Sequence, residues 1–284
     1  MARIKVAYNY SKEFLEVERP QPLTDNIIDS LMEDAISNKI AHDITDNVYE
    51  EFKSNLVRWI EQSGNTITGF DAFVQSDITI GCTQFIDNLY MRGPVQTITG
   101  DYKYHERLGK TPVEVNKLKS YVPLIISMPF PSTGDKLPNM EELLDMCAEC
   151  HIPVHIDGAW LLAAKDIEFD LGHPAIESVG ISLSKGLGLG WNRVGMRWSK
   201  IKVTDSISIM NDFHMNNRAL SIIGLHYMKN LSPGHLWNTH GSNYEKICKD
   251  FNLETTKCIH LAKSNGSPVG LSPLLRYLEN ESTF

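Results

Sequence analysis

SVGISLSKGLGLGWNRVG, residues 178–195, carries a short apolar run into a lysine, Lys185, and follows it with three glycines and an arginine, Arg193. The run is β-rich and bounded by turn residues, so it reads as a strand that delivers Lys185 at its carboxyl end. Upstream, IPVHID (152–157) reads in the same way and delivers Asp157 at another strand end. A buried acid and a buried lysine can be no more than an ion pair, and by themselves they favour that reading as much as catalysis. The surroundings of Lys185 tip the balance. Ser182 precedes it by one turn, glycines follow it and Arg193 closes the segment. Small hydroxyls, a permissive backbone and a bidentate cation around one lysine are the parts of a phosphate pocket beside a reactive amine.

Outward from this segment the pattern alternates. DITIG (77–81), VQTIT (95–99), VPLIISM (122–128) and VGMRWS (194–199) read as further strands, and YEEFKSNLVRWIEQSG (49–64), CTQFIDNLYMRG (82–93) and MEELLDMCAECH (140–151) as helices. Strands separated by helices predict an α/β protein with a mainly parallel sheet buried on both faces. The first 47 residues, including NIIDSLMEDAISNKI, read as an N-terminal arm or edge segment, 48–230 as the large domain and 231–284 as a shortened C-terminal domain, with no sharp linker between them. Within the last part, RALSIIGLHYMKN (218–230) leads in as a helix, SPGHLWNTHGSN (232–243) reads as a loop, YEKICKDF (244–251) as the start of a helix, and CIHLAK with VGLSPLLRYLEN as a strand and a helix.

Bulk properties narrow the classes. The chain has 284 residues, 42% of them hydrophobic, enough for a substantial core. A net charge of −8 argues against a general attraction to nucleic acid or anionic lipid, so any phosphate must be captured locally. No apolar run approaches the roughly 20 residues of a membrane helix, and MARIKVAYNYSKEF lacks the apolar stretch of a secretory signal; a cytoplasmic protein is expected. Five scattered cysteines agree with a reducing compartment. Cys147 and Cys150 form a CxxC, but inside a helical pattern and without a second pair they read as helix residues.

The 178–195 segment resembles the lysine motif of the class I and II aminotransferases, S-x-[SA]-K followed by a glycine-containing turn and R-x-G. The resemblance implies a three-layer, fold type I transferase dependent on pyridoxal 5′-phosphate (PLP), with a reduced C-terminal small domain. It implies that Lys185 carries the cofactor as a Schiff base, that Ser182 and Arg193 bind the phosphate with Ser184 as a weaker addition, and that Asp157 faces the pyridine nitrogen. A carboxylate there keeps that nitrogen protonated and the ring electron-withdrawing. By the same resemblance, Gly81, Cys82 and Thr83 cradle the phosphate at a helix N-terminus, and Tyr102, two residues after Gly100, covers the ring, although a surface or core role suits a tyrosine nearly as well.

Two positions depart from the family. Where the N-P-x-G strand exit supplies an asparagine, SMPFPSTG has Pro131, leaving Ser132 or Thr133 as donors. Where many members carry a tyrosine, this chain has Trp160, whose indole donates but does not accept. The arginine that holds a substrate carboxylate has one candidate, Arg276, for which a surface helix charge is the better reading.

Other chemistries find less support. Counted from Gly186 or Gly188, a dinucleotide G-x-G-x-x-G would need a third glycine where Trp191 or Arg193 stands. His151 and His155 are four apart, but His155 lies in a strand pattern and no acidic partner completes a metal set. No G-x-S-x-G elbow anchors a hydrolase triad. The expectation is therefore a PLP-dependent aminotransferase using an amino donor and a keto acceptor. The alternatives are a PLP-dependent lyase or decarboxylase, or a PLP-fold protein without turnover. The resemblance also implies a homodimer whose second subunit contacts the phosphate, with Tyr8 and Tyr10 as open guesses for that contact.

Overall fold

The computed structural model describes residues 10–12, 15, 21–38, 40 and 47–281. In chain order, helices α1 (Asn26–Ser37) and α2 (Val48–Glu61) precede strands β1 (Thr66–Thr68) and β2 (Gln75–Thr79), helices α3 (Gly81–Arg92) and α4 (Tyr104–Arg107), and strand β3 (Leu124–Ser127). Helix α5 (Met140–Glu149), strands β4 (Val154–Gly158), β5 (Glu168–Asp170) and β6 (Ile176–Ser182), the one-turn helix α6 (Leu183–Gly186) and strand β7 (Gly195–Ser199) follow. Helices α7 (Ser206–Asp212), α8 (Arg218–Asn230) and α9 (His235–Asp250), strands β8 (Glu254–Thr255), β9 (Leu261–Ser264) and β10 (Ser267–Gly270), and helix α10 (Ser272–Glu281) complete it.

The central sheet has the order β2-β7-β6-β4-β3. Strands β3, β4 and β6 pair in parallel, whereas β7 is antiparallel to both of its neighbours, β6 and β2. Four of the five strands therefore point one way and only β7 opposes them. Both faces are covered, as the unbroken apolar runs predict. Along β3, Ile125 joins Phe85, Ile86 and Leu89 of α3 in a cluster on one face, while Leu124 and Ile126 belong to the main core on the other. The main core includes Phe52, Leu56, Trp59 and Ile60, which fall on one side of α2. Helix α3 lies so close to the sheet that a Cβ at Gly180 would stand 2.5 Å from the Phe85 ring.

Three local readings of the sequence need correction. VQTIT is not a strand: Gln96 and Ile98 form only isolated bridges, to Leu124 and Val113. SPGHLWNTHGSN is not all loop, since α9 starts at His235 behind Gly234, whose φ is 79°. Leu236, His240, Tyr244 and Ile247 recur at helical spacing and are buried, a stripe hidden in the sequence by intervening Asn, Thr, Gly and Ser. The single strand read at CIHLAK starts only at Leu261 and is half of a hairpin, with Asn265 and Gly266 both at positive φ between β9 and β10. Asn-Gly between paired strands is the favoured two-residue turn. The CxxC is helical as read: Cys147 is buried in α5 and Cys150 caps it. Among the described residues no helix is long and apolar enough to cross a membrane.

Beneath the sheet edge, Arg197 of β7 is almost fully buried and is clamped by Asp77 of β2 and by Asp205, the N-cap of α7. Burial alone would lower its pKa, but the two carboxylates outweigh this and raise it, while Arg197 in turn holds Asp205 below the ordinary carboxylate range. Replacing Arg197 by alanine strands two acids in the interior. Arg197→Ala is expected to cost about 3–5 kcal/mol, read as a fall in the urea unfolding midpoint.

Candidate active site

Because β2, β3, β4 and β6 run the same way, their carboxyl ends share one edge of the sheet; because β7 runs the other way, it starts there. Ligands of α/β sheets bind at this edge. Gly81 follows β2, Asp157 and Gly158 end β4, Ser182 ends β6, and Arg193 stands just before β7. The register pairs Ser182 with Gly195 and Ser127 with Asp157.

The contact between these ends is close. Gly81 has φ 69°, and a Cβ on it would lie 3.1 Å from Ser182 Oγ, 3.2 Å from Arg193 Nη2 and 3.4 Å from Arg193 Nε. Arg193 Nη2 donates to Thr83 Oγ1 in the first turn of α3. Ser182 caps α6: its Oγ accepts from the Ser184 amide at 3.2 Å and donates to Ser184 Oγ at 3.0 Å. Lys185 follows on that turn, half-buried, and its charge bears on Cys258 and His260 of the C-terminal segment. Trp160, also half-buried, leads into the 161–163 turn, where Leu162 fills the space a Cβ on Gly186 would need.

Asp157 is buried and accepts from the Ala159 amide at 3.1 Å. Burial pushes its carboxyl up to about 6, against the lowering influence of the Cys82 thiol, the Ala159 amide and Arg193. Cys82 is itself buried at the start of α3, and burial with the nearby Asp157 charge drives its thiol well above the usual range. It is a neutral donor.

Tyr102 is 38% exposed and stacks on Tyr104 at 5.8 Å between centroids. The two candidate hydroxyls near the strand exit differ. Thr133 Oγ1 is used within its own turn, donating to the Phe130 and Asp135 carbonyls, whereas Ser132 Oγ lies against Gly100, 3.2 Å from where a Cβ would be. Arg276 is more than a simple surface charge: Nε and Nη2 donate to the Pro22 carbonyl and Nη1 to Gln21. It ties α10 to the segment entering α1. Of the tyrosines guessed for an intersubunit contact, Tyr8 lies outside the described residues and Tyr10 donates to Asp250 at 2.7 Å within the chain.

Asp101, beside Tyr102, is not among the residues the sequence pattern singles out. It is 7% exposed and braces the Tyr102 and Ser127 amides. An acid directly behind a glycine that ends an apolar run was the available signal.

No family model and no curated protein matches the chain by sequence. Solved structures do match. The aromatic aminotransferase of Pyrococcus horikoshii superposes with a TM-score of 0.64 at 14% identity, covering 96% of this chain and 96% of that one. The chain has the fold of the PLP-dependent aminotransferases, fold type I. A PLP-bound C–S lyase of Staphylococcus hominis shares this fold with a TM-score of 0.64, 10% identity and coverage of 96% and 89%. The aspartate aminotransferase of Thermus thermophilus does so with 0.59, 14%, 88% and 76%.

The residues present in this fold type I chain fit PLP. The cradle at Gly81 would be filled by any larger side chain, and it is walled by a hydroxyl and a guanidinium at the N-terminus of a twelve-residue helix, which suits a phosphate. Gly81→Ala is expected to cost about 1 kcal/mol for a side chain at left-handed φ and to weaken PLP binding roughly tenfold or more, measured by thermal unfolding and by fluorescence titration with PLP.

Proposed function

We propose that this protein is a PLP-dependent aminotransferase acting on an amino acid or related amine. The observation that carries the reading is the convergence of Gly81, Ser182 and Arg193 around one cradle, with Asp157 buried at the neighbouring strand end and Lys185 one turn beyond Ser182. When bound, PLP supplies an electron sink for the carbanion of its amine substrate.

The protein's part is to bind, orient and move protons. Gly81, Cys82 and Thr83 offer the amide end of α3 to the phosphate, Thr83 adds its hydroxyl, and Ser182, Ser184 and Arg193 close the other side. Asp157 would face the ring nitrogen with its carboxylate and hold a proton there. The buried Cys82 thiol donates to Asp157. Tyr102 would cover the ring, with Trp160 beside it. Lys185 Nζ would hold the cofactor and, once freed by the substrate amine, would take and return the proton at the substrate α-carbon. A homodimer whose second subunit completes the phosphate site belongs to the same proposal.

A second reading, a PLP-dependent lyase, is favoured by two positions. Pro131 and Trp160 stand where an asparagine and a tyrosine hydroxyl would adjust the cofactor's phenolic oxygen, and the C–S lyase shows that this fold is not restricted to transamination.

Protein supplied with PLP is expected to gain a visible absorption band, and borohydride to fix PLP on Lys185, found by peptide mass spectrometry and lost in Lys185→Ala. A panel of amino acids should convert that band to the pyridoxamine form without a keto acceptor. Conversion with release of a thiol or carbon dioxide would replace transamination by the lyase or decarboxylase reading; a trapped cofactor that no amine converts would indicate a silent binder.

A further inference from the structure

The cradle at Gly81 accounts for Ser182 and Arg193 but not for two of the glycines between them. A Cβ on Gly188, whose φ is 66°, would lie 2.6 Å from the Leu23 carbonyl oxygen and 3.1 Å from the Ile28 side chain. One on Gly190, whose φ is 53°, would lie 3.1 Å from Pro22 Cγ. The first of these neighbours is backbone and cannot swing aside. Residues 21–25, the chain that enters α1, therefore cross the loop at close range, and Leu23 is fully buried in the same core as Leu187 and Leu189. The loop also folds back on the lysine turn: the Gly190 amide donates to the Ser184 carbonyl at 3.1 Å, and the Asn192 amide to the Leu189 carbonyl at 2.8 Å.

The crossing segment is held at both ends by the C-terminal helices. At one end Arg276 of α10 donates from Nε at 3.0 Å and from Nη2 to the Pro22 carbonyl, and from Nη1 at 2.6 Å to Gln21 Oε1. At the other end stands Asp25, the buried N-cap of α1. Its Oδ1 accepts from the Ile27 and Ile28 amides at 2.8 and 2.9 Å, and its Oδ2 lies 2.7 Å from Nε2 of His235, the first residue of α9. An ionised carboxylate only accepts, so His235 Nε2 carries the proton. Burial alone would raise the Asp25 carboxyl, but His235 and the Ile28 amide outweigh it and hold it below the ordinary range. Tyr227 of α8 adds a 3.0 Å hydrogen bond to the Ile28 carbonyl.

We propose that residues 21–25 are a strap seated on Gly188 and Gly190, and that Arg276 and Asp25 are positioning residues that pin it, so that α9 and α10 fix the loop between Lys185 and Arg193. Both residues act through others: through the Leu23 carbonyl against Gly188, and through Gly190, whose amide reaches Ser184 beside the lysine. A loop with glycines at 186, 188 and 190 has a large backbone entropy to lose on ordering. The strap removes that freedom before a ligand arrives, so binding does not have to supply the ordering. The proposal rests on the PLP reading for its meaning, but the strap and its pins are properties of the protein alone.

Hydrogen–deuterium exchange of the protein without PLP, read by mass spectrometry, tests the strap. Arg276→Ala removes one pin, and Arg276→Lys keeps a cation that can reach the Pro22 carbonyl. Asp25→Ser keeps a hydroxyl cap for α1 but is too short to reach His235. In Arg276→Ala and Asp25→Ser the amides of residues 187–192 are expected to exchange about tenfold faster or more, while peptides from β3, β4 and β6 stay unchanged; Arg276→Lys should restore part of the protection. Affinity for PLP, from fluorescence titration, should fall by about the same factor. If Asp25→Ser does not fold, Arg276→Ala, at a half-buried position, decides alone. Unchanged exchange at 187–192 in folded Arg276→Ala, or faster exchange spread evenly over the sheet, overturns the strap. Faster exchange at 187–192 with unchanged PLP affinity, in protein that traps PLP on Lys185, overturns the positioning role. A protein that never traps PLP on Lys185 overturns the functional reading instead, and leaves the exchange to decide the strap.

Discussion

There is no room for a side chain at Gly195. A Cβ there would lie 2.3 Å from the Ile181 carbonyl, 3.1 Å from Ser182 Cα and 3.2 Å from Gly81 Cα. Three backbone segments, the starts of β7 and α3 and the end of β6, meet at this point, and the meeting is possible only because β7 runs against its neighbours. Were β7 parallel, Arg193 would leave the sheet at the opposite edge. As built, the reversed strand returns Arg193 to the edge where Gly81, Ser182 and Asp157 end, and the glycine at 195 lets the backbones close up so that Gly81 faces a hydroxyl and a guanidinium. The R-x-G of the lysine segment thus has a steric cause: the arginine supplies charge, and the glycine lets the strand come close enough to deliver it.

Electrostatics at this edge is divided by position. Around Gly81 the helix N-terminus, Arg193 and the hydroxyls of Thr83 and Ser182 favour an anion. Behind it, Asp157 and Asp101 are buried acids with raised pKa values, an environment that gains from a cation. A ligand with a phosphate at one end and a basic ring nitrogen at the other satisfies both. Arg197, clamped between Asp77 and Asp205 lower in the same strand, keeps β7 joined to β2 and α7 and so maintains the geometry above it.

Strand-end chemistry was the most legible part of the sequence. Asp157 and Ser182 end β4 and β6, with Lys185 and Arg193 close by, where apolar runs ending in polar residues and the S-x-[SA]-K and R-x-G spacing put them. The direction of β7 was not legible, since VGMRWS reads alike whichever way it runs; its orientation follows from tertiary pairing. The stripe of α9 was masked by the polar residues between its buried positions, and the β9–β10 hairpin was overlooked although Asn265-Gly266 announced it. Asp101 carries only a weak signal, for a different reason. An acid in a turn is ordinarily solvated, and only the packing of α3, α4 and β3 around it turns a common residue into a buried carboxyl.

The central claim is that one concavity holds a phosphate at the β2–α3 turn and a ring against Asp157. A crystal structure of the protein grown with PLP tests it most directly. The account predicts phosphate density bounded by the Gly81–Thr83 amides, Ser182 and Arg193, continuous density to Lys185 Nζ, and the ring nitrogen within hydrogen-bond reach of Asp157. Phosphate bound elsewhere, or a ring turned away from Asp157 with Lys185 unmodified, would contradict it.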